Sequence, residues 1–190
     1  MKRALVGLSL LLAFAAEAQM PALPASQTPA ALPARGTVQV AFTPWDNAEA
    51  MIVDGIRRAK QQILVQAFSF TSRSLANALT AARKRGVDVQ VMADREQTFS
   101  GTASRIPDLV RAGIPVMLEV RYQSAHSKVM VIDAGSADAA VITGSYNWTY
   151  AAQYKNAENV LILRHNPDIA NAYAANWRRH FALALPYAEQ

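Results

Sequence analysis

SAHSKVMVID, residues 124–133, sets two basic side chains at the mouth of an apolar run and closes that run with an aspartate. Successive side chains on an extended chain point to opposite faces, so His126 and Lys128 share one side while Ser127 takes the other. The four apolar residues between Lys128 and Asp133 read as a core strand, with the basic pair at its end. Two groups that can both be cationic are costly to hold together away from water unless an anion lies between them. The stretch therefore reads as a strand that delivers an anion site.

Downstream, AAVITGS (139–145) and ENVLILR (158–164) are two further strands, and the turn-rich AGSADA between the first two makes a hairpin. Upstream, VQVAF (38–42), ILVQAFSF (63–70), VDVQVMAD (87–94) and IPVMLEV (114–120) have strand character. Helices separate them: one capped by Asp46 and running to about Lys60, one from Ser74 through Arg85 to Gly86, and one around 103–112. A last helix starts at Asn166-Pro167, and Ile169, Tyr173 and Trp177 at four-residue spacing pack it on the sheet. His180 on this helix is read as a surface residue. Strands and helices in this order imply an α/β fold, a mixed β-sheet flanked by helices in one domain.

The hairpin's second strand ends in TGSYN, so Ser145 and Asn147 share a face if the strand persists, and Gly144 leaves room for a ligand to approach the backbone. Imidazole, ammonium, hydroxyl and carboxamide brought together suit a phosphate. Lys128 supplies charge, Ser145 and Asn147 supply hydrogen bonds, and His126 attacks or transfers a proton. The anion that the opening stretch requires is then a phosphodiester.

His126-x-Lys128-x4-Asp133 followed by Gly144-Ser145-x-Asn147 resembles the HKD motif of the phospholipase D superfamily. ILVQAFSFTS, the Arg-Gly-Val-Asp-Val turn and NAEN at 156–159 resemble the small single-motif bacterial endonucleases of that superfamily, from about Val38 to Phe181. The resemblance implies a phospholipase D-like fold and a phosphodiesterase that needs neither metal nor cofactor. One histidine attacks phosphorus to form a phosphohistidine, a second protonates the leaving oxygen, and water then releases the monoester. It implies His126 as nucleophile or acid/base, Lys128 and Asn147 as the phosphate clamp with Ser145 a weaker member, and Glu158 as the carboxylate that orients the histidine. Strand alternation puts Asp133 opposite His126, so Asp133 is expected to be structural.

Two histidines are required and the chain carries one motif; His165 and His180 have no lysine two residues later. Two-fold symmetry would supply the second, so an active homodimer is expected. The segment AGSADAAVIT (134–143) is longer than the family's pattern, and a longer hairpin tip could change substrate access.

The rest of the chain bounds these expectations. MKRALVGLSLLLAFAAEA (1–18) is a signal peptide by its basic start, short apolar run and Ala16-Glu17-Ala18, which implies export to periplasm or medium and no stable membrane insertion once it is removed. Residues 19–36, rich in proline and alanine, read as a linker, and 37–190 as the catalytic domain. The sequence has no cysteine, which excludes disulfides and thiolate chemistry, and its three histidines lack zinc spacing. A net charge of +5, with basic runs at 57–58, 83–85 and 178–179, favours a nucleic-acid substrate. The alternatives are a phospholipase D acting on lipid headgroups and a nucleic-acid-binding module that does not cut.

Overall fold

The computed structural model describes residues 28–100 and 103–188. The expected signal peptide (1–18) and the first part of the linker (19–27) lie outside the described residues. Among the described residues eight strands form one mixed sheet: β1 (Thr37–Thr43), β2 (Gln62–Ala67), β3 (Asp88–Asp94), β4 (Val116–Glu119), β5 (Val129–Ile132), β6 (Ala140–Gly144), β7 (Glu158–Arg164) and β8 (Leu185–Pro186). Their order across the sheet is β1-β7-β6-β5-β2-β3-β4-β8. β2, β3 and β4 run parallel, and every other pairing is antiparallel.

The helices are α1 (Ala48–Arg58), α2 (Arg73–Lys84), α3 (Arg95–Phe99), α4 (Ile106–Arg111), α5 (Tyr150–Tyr154) and α6 (Pro167–Phe181). Alternation along the central strands sorts the core into two layers. Ile63, Val65, Met130 and Ile132 face α1, α2 and α4 through Ile52, Ile56, Leu75, Leu79 and Leu109. Leu64, Val129, Val131 and Val141 face α6 through Ala170, Ala174 and Trp177. A helix on each side makes both faces of the middle strands apolar, which is why they read as continuous hydrophobic runs. α6 does not extend over the sheet edge: Val38, Val40 and Phe42 of β1, opposite Leu163, Leu161 and Asn159 of β7, are exposed on its side.

Two helix starts differ from the expected ones. Asn47, not Asp46, caps α1 by accepting from Ala50 N, because the Asp46 carboxylate is taken up by Phe42 N at 2.8 Å. Ser72, not Ser74, caps α2 by accepting from Leu75 N at 3.1 Å. Asn166 caps α6 as expected, with Pro167 in the first turn; its side-chain amide also donates to the carbonyls of Pro33 and Arg35.

Candidate active site

The β5–β6 hairpin places the motif. β5 spans only Val129–Ile132, so His126 and Lys128 lie in extended chain just before it. Thr143 Oγ1 donates to the Lys128 carbonyl at 3.0 Å, which carries the pairing one step past the strand. Gly144 follows at φ 151°, and a Cβ there would lie 2.2 Å from the Asn159 carbonyl oxygen. What approaches this glycine is therefore β7 and not a ligand, contrary to expectation. The chain then turns under the end of β2: Trp148 Nε1 donates to the Gln66 carbonyl, and the Trp148 carbonyl accepts from Thr71 N and Ser72 N. Asn147 rides on this pinned segment.

His126 and Lys128 meet as expected. Lys128 Nζ donates to the His126 carbonyl at 2.6 Å and lies 2.8 Å from Nδ1 of the imidazole. The imidazole is exposed and the lysine is buried, with 4% of its surface accessible. Burial pushes the ammonium from 10.5 down to about 8, and the charge of Glu158 pulls the other way. Phe68 closes the pair from one side, its ring 4.4 Å from the imidazole centroid and 4.7 Å from Lys128 Nζ. Phe68 was not singled out from the sequence; its place comes from β2 pairing with β5, where Gln66 sits opposite Val129.

Among the described residues Glu158 bonds to Ser145 and Asn156 and not to His126, contrary to the expectation that it would hold the histidine. Ser145 Oγ donates to its Oε2 at 2.5 Å, and Asn156 Nδ2 to its Oε1 at 2.9 Å. Ser145 also accepts from Asn159 N at 3.1 Å, so its hydroxyl positions Glu158 and is not free to clamp phosphate. Among the described residues Asn147 Oδ1 is buried without a partner, which leaves the carboxamide hydrogen-bonding capacity in reserve.

Asp133 is at the other end of β5. Its carboxylate accepts from Lys60 N, Gln61 N and Gln62 N at 2.7–2.9 Å, fixing the turn into β2. The longer hairpin turn is at this end too, tied by the Lys60–Asp138 ion pair at 2.6 Å. It does not border the His126 of its own chain, because β5 separates them. His165 lies beside that turn, its Nδ1 3.2 Å from the Ala137 carbonyl. His180 is not a free surface residue: its Nδ1 is 3.1 Å from Glu119, a buried carboxylate that also accepts from Gln66.

Similar proteins share this arrangement of strands. Residues 52–181 match the family model described as cardiolipin synthase, PLD-like domain. The chain is 36% identical over 143 residues to phospholipase D of Rickettsia felis, which covers 75% of this chain and 68% of that one. It is 32% identical over 134 residues to mitochondrial cardiolipin hydrolase of Xenopus tropicalis, 70% of this chain and 61% of that protein. Nuc from Salmonella typhimurium, a phospholipase D family member, superposes with a TM-score of 0.74 at 32% identity, over 80% of this chain and 99% of Nuc. NucT from Helicobacter pylori has the same fold, with a TM-score of 0.71 at 22% identity over 80% of this chain and 99% of NucT. Matched across 52–181 with the His126–Lys128 hairpin inside the match, the chain belongs to the phospholipase D superfamily and is one of its hydrolases.

Proposed function

We propose that this protein is a metal-independent phosphodiesterase, an endonuclease of low base specificity that cleaves DNA or RNA through a phosphohistidine at a site shared by two subunits. The observation that carries the chemistry is the buried Lys128 cation set 2.8 Å from an exposed imidazole. His126 Nε2 attacks phosphorus; the N–P bond forms as the P–O bond to the leaving nucleoside oxygen breaks, and the partner subunit's His126 gives that oxygen its proton. The partner subunit's His126 then takes a proton from water, whose oxygen attacks phosphorus, and the N–P bond breaks. Lys128 and Asn147 hold the non-bridging oxygens, and the negative charge of Glu158, positioned by Ser145, favours the imidazolium that forms.

The uncovered apolar strip of Val38, Val40 and Phe42 supports the second subunit. It ends level with Glu158 and Asn159, since Phe42 pairs with Asn159 and Thr43 with Glu158, so a second copy seated there would border the site. Nucleic acid is favoured by a shallow cleft of about 570 Å3 between α1 and α2, lined by the exposed Arg57, Arg73 and Arg85. Its Arg73 follows Ser72, whose N–H bonds the Trp148 carbonyl next to Asn147. Export to the periplasm or medium completes this reading.

The rival reading is phospholipid hydrolysis, favoured by the names of the Rickettsia and Xenopus relatives. The deciding experiment offers plasmid, single-stranded DNA, RNA and vesicles of phosphatidylcholine with cardiolipin to the same protein in excess EDTA. Nucleic-acid cleavage with vesicles left intact is expected. Headgroup release with intact nucleic acid would replace this reading with the lipase.

A further inference from the structure

We propose that Tyr150, Tyr154 and Trp45 are base-stacking stations beside Asn147 and Glu158 of the site, and that the substrate is therefore single-stranded nucleic acid. The inference rests on the nuclease reading and adds strandedness to it. α5 buries Ala152 and Gln153 and begins at the Thr149 cap, which accepts from Ala152 N. The spacing of four puts the two tyrosines on one side of this turn, where their rings meet with centroids 4.5 Å apart at 37°. More than half of each remains accessible, 58% for Tyr150 and 55% for Tyr154. Trp45 is 84% accessible and lines a cleft of about 270 Å3 with Phe42, Thr43, Ala157, Glu158 and Asn159.

These rings are tied to the site by short paths. Tyr150 is three residues past Asn147, which limits their separation to about 11 Å. Tyr154 is two residues before Asn156, the donor to Glu158. Thr43, two residues before Trp45, donates to the Ala152 carbonyl of α5 at 2.7 Å and accepts from Glu158 N at 3.2 Å. A duplex keeps its bases stacked on one another and presents no free faces, whereas a single strand offers one at every position. Lys155, next to Tyr154 in the chain, supplies charge for the backbone.

The test measures binding of a labelled twelve-residue oligothymidylate and of a twelve-base-pair duplex in EDTA. His126→Ala, expected not to cleave, is compared with the same protein carrying Tyr150→Ala and Tyr154→Ala, and separately Trp45→Ala. Removing a stacking ring is expected to weaken oligothymidylate binding by about 5- to 150-fold. Duplex binding should change less than twofold, and the loss should vanish when the oligomer's bases are replaced by abasic sites. The ring substitutions should leave the urea-unfolding midpoint of His126→Ala unchanged, which reports an intact fold. Unchanged oligothymidylate affinity, an equal loss on duplex, or conversion of a dimer to monomer would overturn the proposal. If the wild-type protein cleaves nucleic acid and the rings make no difference, stacking alone fails. If it cleaves only phospholipid, the nuclease reading fails with it.

Discussion

Replacing Lys128 with methionine removes the buried cation beside His126 while keeping most of its volume. Burial lowers the ammonium from 10.5 to about 8, and at 1.36 kcal/mol per pH unit this corresponds to roughly 3 kcal/mol against the charged form. Below pH 8 the folded and unfolded chains both hold the proton, so that cost is present in full. Between about 8 and 10.5 the folded chain has released it and the unfolded chain has not, so stability rises with pH over that window. Against the gain stand the bonds to His126 Nδ1 and its carbonyl, roughly 1 kcal/mol together, while Met regains contact with the Phe68 ring. Lys128→Met should therefore be about 2 kcal/mol more stable than wild type at pH 7, with the advantage lost between pH 8 and 10.5 and turned into a deficit of up to about 1 kcal/mol. It should also lose about 10²–10³ in kcat, the scale of removing one transition-state donor. Urea unfolding of both proteins at pH 7, 9 and 10.5, at one protein concentration and without phosphate, measures the difference. A variant less stable than wild type at pH 7, or a gap that stays constant across the range, would refute the reasoning.

Three further substitutions separate support from chemistry. Asp133→Ala strips the acceptor from three backbone donors and should cost about 3 kcal/mol in urea unfolding, while the folded protein keeps near-wild-type kcat. Gly144→Ala sets a methyl 2.2 Å from the Asn159 carbonyl, so β6 and β7 must part; a loss of at least about 3 kcal/mol, or failure to fold, is expected in the same assay. Ser145→Ala frees Glu158 from its 2.5 Å hydrogen bond and should lower kcat about tenfold with KM unchanged, the cost of one positioning bond.

Much of this architecture was legible because buried strands and capped helices write short-range patterns. ILVQA and VMVI announce strands, Asn166-Pro167 announces α6, and HxK on one side of an extended chain brings His126 and Lys128 together whatever surrounds them. What could not be read depends on which strands become neighbours. Phe68 sits in an ordinary aromatic run until β2 pairs with β5. Ser145 and Glu158 find each other because Gly144 lets β7 close in, and that takes the carboxylate away from the histidine expected to hold it. Adjacent candidates for one cap, Asp46 with Asn47 and Ser72 with Ser74, are decided by a contact elsewhere, as Phe42 N takes Asp46. α3 and α5 are five residues each, too short for a periodic signal.

The measurement that bears most directly on the central claim is hydrolysis of nucleic acid and of bis(p-nitrophenyl) phosphate in excess EDTA by wild type and by His126→Ala, both purified alike. Cleavage of both substrates by wild type, lost in the variant by at least about 10³-fold, is the result the account predicts. Equal hydrolysis by the two proteins, or activity that appears only when a divalent metal is restored, would contradict it.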